Sequence, residues 1–226
     1  TSAYAGNILL NIADNDVKAY IKDGAKVTAE GDVEVKATSE DMNIEIGSIL
    51  AANGKKGGGA TATFDLNKND VQAYIGAAEV DSAKNINVNA KEDNNIVAVS
   101  AGIGQAKDKS GTGVVSLDIQ RNNVEAAIKD GAKVNTNIDN ENQSVSVNAE
   151  FDNSLVKAVG ALSIQAGEGD GGSVGAAVDG DVAVNDVKAY IKGAEINASN
   201  ELNVTAEQET NLIDISAAGA VSTPGA

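Results

Sequence analysis

Apolar and polar residues alternate along this chain in short runs, and the runs come back at long, regular intervals. Asn15-Asp16-Val17-Lys18-Ala19-Tyr20-Ile21 returns as Asn69-Asp70-Val71-Gln72-Ala73-Tyr74-Ile75, as Asn122-Asn123-Val124-Glu125-Ala126-Ala127-Ile128 and as Asn185-Asp186-Val187-Lys188-Ala189-Tyr190-Ile191. The valines at 17, 71, 124 and 187 lie 54, 53 and 63 residues apart. A second apolar group follows in each copy: Ala25/Val27/Ala29, then Val80, then Ala132/Val134, then Ile196/Ala198. A third comes after it: Val33/Val35/Ala37, Ile86/Val88/Ala90, Val145/Val147/Ala149 and Leu202/Val204/Ala206. A period of two predicts short strands with one buried face, because successive side chains of a strand point to opposite sides. Copy three is longer between its second and third groups, so residues Asn137 to Asn142 are predicted to be a loop insertion. Asp23-Gly24, Glu30-Gly31-Asp32, Asp130-Gly131 and the Asn-rich stretch 135–142 supply turn chemistry between the groups.

After the third group each copy enters a longer Ile/Val/Ala/Gly stretch, at Ile44 to Ala52, Ile96 to Ile103 and Leu155 to Ile164. It reaches a glycine-rich tip and returns through stretches such as Ala60 to Leu66 or Gly113 to Ile119. Strands this short cannot bury an apolar face alone, whereas stacked coils bury a continuous column. The pattern predicts an all-β chain, a parallel β-helix with about two coils per ~54-residue repeat, four repeats starting near 15, 69, 122 and 185, and one segment over 1–226. At about 4.8 Å per coil that is a rod of roughly 40 Å. A helix through Val17, Tyr20 and Ile21 also fits an i, i+3, i+4 spacing, but Asp-Gly breaks it within a few residues, too soon for a stable helix. Small interior residues such as Ala19, Ala29 and Ala37 account for a composition with only 3% aromatic residues.

Charge narrows the function. Lys+Arg 17 against Asp+Glu 33 gives a net charge of −16, a poor match for nucleic acid or for anionic membrane surfaces. Histidine and cysteine are both absent. Thiol nucleophiles, Ser-His-Asp triads, disulfides and the usual zinc or iron ligand sets go with them. No apolar run is long enough to span a bilayer, so membrane insertion by the chain is not expected. Thr1 opens it without an initiator Met, and Ile215 to Ala220 stop inside a pattern that runs further in earlier copies, as expected of a segment from a longer protein. The lack of cysteine suits a chain that crosses an envelope unfolded.

Residues 15 to 37, Asn-Asp-Val-Lys-Ala-Tyr-Ile-Lys-Asp-Gly-Ala-Lys-Val-Thr-Ala-Glu-Gly-Asp-Val-Glu-Val-Lys-Ala, resemble the β-strand repeats of large filamentous-hemagglutinin-like exoproteins. Among these they are most similar to the leukotoxin-like filamentous adhesins of anaerobic Gram-negative bacteria. All four copies share the resemblance. It implies a right-handed β-helix shaft, two-partner secretion through an outer-membrane transporter, and display on the outer surface or release outside the cell. Host-cell adhesion and, in some members, leukotoxicity are the implied roles, with a host-cell surface protein or glycan as partner. The amino-terminal secretion domain that such transporters recognise is not visible in this sequence, so that route rests on the resemblance alone. The repeat carries no catalytic residues to transfer, and no cofactor is expected.

Three features could carry chemistry. In Val-x-Ala-Tyr-Ile the Val, Ala and Ile should point inward, which puts Tyr20, Tyr74 and Tyr190 in one outer row, interrupted by Ala127. Such a row can stack on sugars or anchor a partner, or simply cover neighbouring coils. The glycine-rich tips at 54–59, 104–111 and 167–172 change from basic to mixed to acidic, as variable turns would. The third faintly resembles a calcium nonapeptide, with Glu168 and Asp170 as its only metal nominees and no tandem partner. Carboxylate pairs such as Glu40-Asp41 and Glu92-Asp93 keep a polysaccharide-degrading β-helix open as an alternative, as does a calcium-stabilised repeat module. Asn15, Asn69, Asn123 and Asn185 are expected to form hydrogen-bonded ladders between coils.

Overall fold

The computed structural model of the chain describes residues 2–137, 142–167 and 171–223. Its elements are β1 (Ser2–Ile21), β2 (Lys26–Ala29), β3 (Val33–Ile75), β4 (Glu79–Ser82), β5 (Ile86–Ile128), β6 (Lys133–Val134), β7 (Ser144–Gln165), β8 (Ser173–Ile191), β9 (Glu195–Ile196) and β10 (Glu201–Ser222), with no helix among the described residues. Two parallel sheets result. One runs β1-β3-β5-β7-β10 with β8 also beside β5, and the other runs β2-β4-β6-β9. The chain is all-β with parallel pairing, as the alternation predicts.

The register follows the repeat. Val17, Val71, Val124 and Val187 are successive partners, and so are Val27, Val80, Val134 and Ile196. Hydrogen-bonded neighbours are therefore one whole copy apart, and the expected division of each copy into about two coils is not what the pairing gives. The reason lies in the long strands. The first half of β5 pairs with the first half of β3 and with the whole of β7, while its second half pairs with the second half of β3 and with β8. The two halves lie against each other: Thr63 Oγ1 meets Ser100 Oγ at 2.7 Å, and Asn69 Nδ2 donates to Glu92 Oε1 at 2.5 Å. What reads in sequence as two successive coils is thus two facing walls. Four layers at about 4.8 Å rise roughly 20 Å, half of the expected rod.

At one end of every layer three apolar runs meet. Val71, Ala73, Ile75, Val80, Ile86, Val88, Val124, Ile128, Val134, Val145 and Val147 form one buried cluster, closed at its ends by Val17, Val27, Val187 and Ile196. Each fully buried Val or Ile contributes on the order of 1.5–3 kcal/mol. The turn into the second run needs left-handed backbone at Gly24 (φ 77°) and Gly131 (φ 85°), which glycine adopts without a Cβ clash. An asparagine ladder closes the inner edge of this head: Asn15 donates to Asn69 at 2.9 Å, Asn69 to Asn122 at 3.1 Å and Asn122 to Asn185 at 2.9 Å. The third rung is Asn122. Asn123, the rung expected from sequence, lies one residue on and so on the opposite face, where it donates to Asp70 Oδ1 at 2.7 Å.

Beyond the ladder the two walls form a blade with a mixed interior, in which a small apolar cluster of Val114, Val159 and Ala161 sits among many polar side chains. Buried between them are Thr61, Thr63, Asp65, Asn67, Asn94, Ser100, Thr112, Ser116, Asp118 and Gln120. Outside are Ile44, Ile46, Leu50, Val97, Val99, Ile103 and Val115. The apolar stretches at 44–52 and 96–103, expected to fill a core, contribute much of their bulk to the outer faces instead. Hydroxyls and amides suit the interior because they hydrogen-bond across a narrow gap. At Gly102 an added Cβ would lie 2.7 Å from Thr112 Cγ2, so the walls could not approach as they do with a larger residue there.

Candidate partner-binding face

Tyrosine sits at the outward-facing step before the last inward apolar residue in copies one, two and four. Tyr20, Tyr74, Ala127 and Tyr190 occupy successive layers in register, while Val71, Ala73 and Ile75 beside Tyr74 are completely buried. Parallel in-register pairing brings like residues together, and the rings of Tyr20 and Tyr74 stack with centroids 5.2 Å apart and planes within 7°. Where copy three lacks a ring, Lys129 places Nζ 3.8 Å from the Tyr74 ring centroid and 2.9 Å from Glu125 Oε1. Tyr190 donates its hydroxyl to Glu125 Oε1 at 2.9 Å. Burial and that carboxylate push the Tyr190 phenol up to about 12.

The row is thus two unlike parts. Tyr190 is tied down by Glu125, whereas Tyr20 at the first layer is 53% exposed. Around the stacked pair runs a groove of about 480 Å³ lined by Tyr20, Tyr74, Lys22, Asp23, Lys129 and Asp130. An open aromatic face flanked by ammonium donors and carboxylate acceptors is the chemistry that holds a sugar ring or a polar peptide. Lys129 and Glu125 were not singled out from sequence. Their signal was the substitution pattern, since the one copy without tyrosine is the one with Glu at the preceding outward position.

The other nominees fare differently. Glu168 and Asp170 lie outside the described residues. The Glu92-Asp93 pair is split by strand alternation, with Glu92 buried against Asn69 and Asp93 on the outside, 3.3 Å from Lys91 Nζ. Burial pushes the Glu92 carboxyl up to about 7. An outer groove of about 610 Å³ carries Glu40, Asp41, Asp93, Asp152 and Glu209. Lys91 reaches Glu150 at 2.5 Å and Asp152 at 3.4 Å from the neighbouring outer surface, and the hydrogen bond to Glu150 holds its ammonium well above the ordinary value.

Sequence reasoning also passed over a row of charge inside the blade. Asp65, Asp118 and Asp181 are register partners. Burial, reinforced by Glu45 and Asp118, pushes Asp65 up to about 7, against the pull of hydrogen bonds from Asn43 and Asn11. Burial pushes Asp118 up to about 6. The signal was available: these aspartates repeat at the same 53- and 63-residue steps as the valines, inside otherwise apolar runs such as Phe64-Asp65-Leu66 and Leu117-Asp118-Ile119.

Comparison with protein-family models, with curated proteins and with solved structures finds no match. Function is therefore read from this chain's own residues. No helix among the described residues is long and apolar enough to cross a membrane.

Proposed function

We propose that the chain is a shaft segment of a large secreted or surface-displayed bacterial exoprotein of the filamentous adhesin type, a right-handed parallel β-solenoid with one coil per repeat. In this reading the parent protein leaves a Gram-negative cell through an outer-membrane transporter. The segment acts mechanically and adhesively, without catalysis, and presents its tyrosine groove to a glycan or protein of a host surface. The observation that carries the adhesive part is the stacked Tyr20–Tyr74 pair beside Lys129. Stacking on rings of this kind contributes about 0.5–1.5 kcal/mol per aromatic contact beyond area burial.

Binding of the purified chain to host cells and to a glycan panel tests it, with a Tyr20→Ala, Tyr74→Ala, Tyr190→Ala variant alongside. The expected result is binding that weakens about tenfold or more in the variant, while its circular dichroism stays that of the parent. Equal binding by both proteins would remove the tyrosine groove from the mechanism.

A further inference from the structure

In the last two layers of the stack, carboxylates from three strands gather around a single lysine. Lys157 of β7 is almost wholly buried, and its Nζ lies 2.6 Å from Asp179 Oδ1 and 2.6 Å from Asp181 Oδ1, both on β8. The same ammonium reaches the carbonyl oxygen of Gly180 at 3.4 Å. Asp214 of β10 completes the cluster, since one oxygen from each of Asp179, Asp181 and Asp214 lies within 4.8 Å of the others. Asp118 of β5 adds a fourth carboxylate, because it is the register partner of Asp181.

Two observations separate this place from an ordinary acidic cluster. Asp118 is 2% exposed and its carboxylate has no hydrogen bond of good geometry, the Gln120 amide being only near enough to favour its charged form, and Oδ2 of Asp179 is likewise buried and unpartnered. Asp118 and Asp181 also line one cavity of about 120 Å³, together with Gln120, Asn153 and Thr210. Four carboxylates against one ammonium leave an uncompensated negative charge, sealed at Asp118 and open to water at Asp214, which is costly at the sealed end unless a cation completes it.

We propose that Asp118, Asp179, Asp181 and Asp214 form a divalent-cation site of the calcium type, in which Lys157 is the counter-ion of the metal-free state and gives way when the metal binds. The donors on offer are carboxylates, the Gly180 carbonyl and the side-chain oxygens of Gln120 and Asn153, an all-oxygen set that suits a hard cation with six to eight ligands. The cavity that Asp118 and Asp181 line lies beside the Asp179–Asp181–Asp214 cluster, with Asp181 common to both, and leaves room for water on the ion. Bound there, the cation ties β5, β7, β8 and β10 together across both walls. The site differs in place from the glycine-rich tip that the sequence nominates. It does not depend on the adhesive reading, since it concerns how the blade is held together.

Calorimetric titration of calcium chloride into the 226-residue chain near pH 7.5, with thermal melts in chelator and in about 1 mM calcium, tests the proposal. One ion per chain with sub-millimolar affinity is expected, and a melting temperature about 5 °C higher in calcium. Asp118→Asn should abolish both effects and raise the melting temperature of the metal-free chain, because it removes a buried unpaired charge. Asp214→Asn, on the open side of the site, should weaken binding about tenfold or more and serves if the first variant fails to fold. Lys157→Met should tighten calcium binding by about tenfold. Absence of heat and of any melt shift at 5 mM calcium would overturn the proposal. So would binding that survives both aspartate substitutions, which would put the ion elsewhere, for instance in the outer groove at Asp93 and Asp152.

Discussion

The head and the blade are built from the same strands with the same register, yet they obey opposite rules of burial. In the head, Val71, Val80 and Val88 face inward and are sealed. About ten residues past Val88 on the same strand, Val97 and Val99 face out while Ser100 is sealed in. The head is held by apolar area removed from water. The blade is held by backbone ladders, by polar side chains that meet across the gap and by a small apolar cluster at Val114, Val159 and Ala161. Parallel pairing with one copy per layer is thus indifferent to which face is apolar, provided that each interior position finds the partner its chemistry needs.

Substitutions should separate the two regions, beginning with the largest effect. Val71→Asp puts a charge among Val17, Val124 and Ile75 and should cost about 4 kcal/mol or more, read as loss of the cooperative melt at the parent temperature. A melt unchanged from the parent would mean that the head is not the stabilising centre.

The next effect belongs to the blade and concerns pH. Asp65 sits at about 7 in the folded chain and near 3.8 when unfolded, so its penalty is absent below about pH 4, grows between the two values and is complete above about pH 7. Glu92 at about 7 and Asp118 at about 6 act in the same direction. The melting temperature should therefore fall as pH rises from 5 to 8, and Asp65→Asn should flatten that fall and stabilise the chain by about 3 kcal/mol at pH 8. A melting temperature that climbs through this window would contradict the buried carboxylate row.

Asn69→Ala, at the boundary, strands the carboxylate of Glu92 and the Oδ1 of Asn122 and should cost about 2 kcal/mol by urea unfolding. The smallest effect is expected at Ile46→Asp. This is the same kind of exchange as Val71→Asp but on the outer face of the blade, where it should change stability by less than about 0.5 kcal/mol and reduce self-association at high concentration. A large loss there would show the outer face to be covered.

The head was legible in the sequence because each of its runs places Val, Ala and Ile on the face that is buried. The tyrosine row was legible for the same reason, as strict alternation puts position 74 opposite to 73 and 75. The blade was not, because the rule that apolar side chains go inside points to the wrong face there. Ile44 and Ile46 carry the period of a buried strand and are exposed, and Asp65 and Asp118 look like solvated acids and are sealed. The coil number has the same origin: residues 44–52 and 60–66 both look like core strands and so read as successive turns, whereas the pairing puts them on facing walls. Asn122 was misplaced by a single residue, enough to move a side chain through the sheet.

The pairing of partners one whole copy apart also has a mechanical consequence. A wall of some 20 residues extends about 60 Å at roughly 3.3 Å per residue, while two walls together are only about 10 Å thick. A longer stack of such layers would be a plank with the head along one edge. Like any plank it would resist bending within its broad plane far more than out of it, so it would flex sideways while its tyrosine positions stayed in line along the same edge.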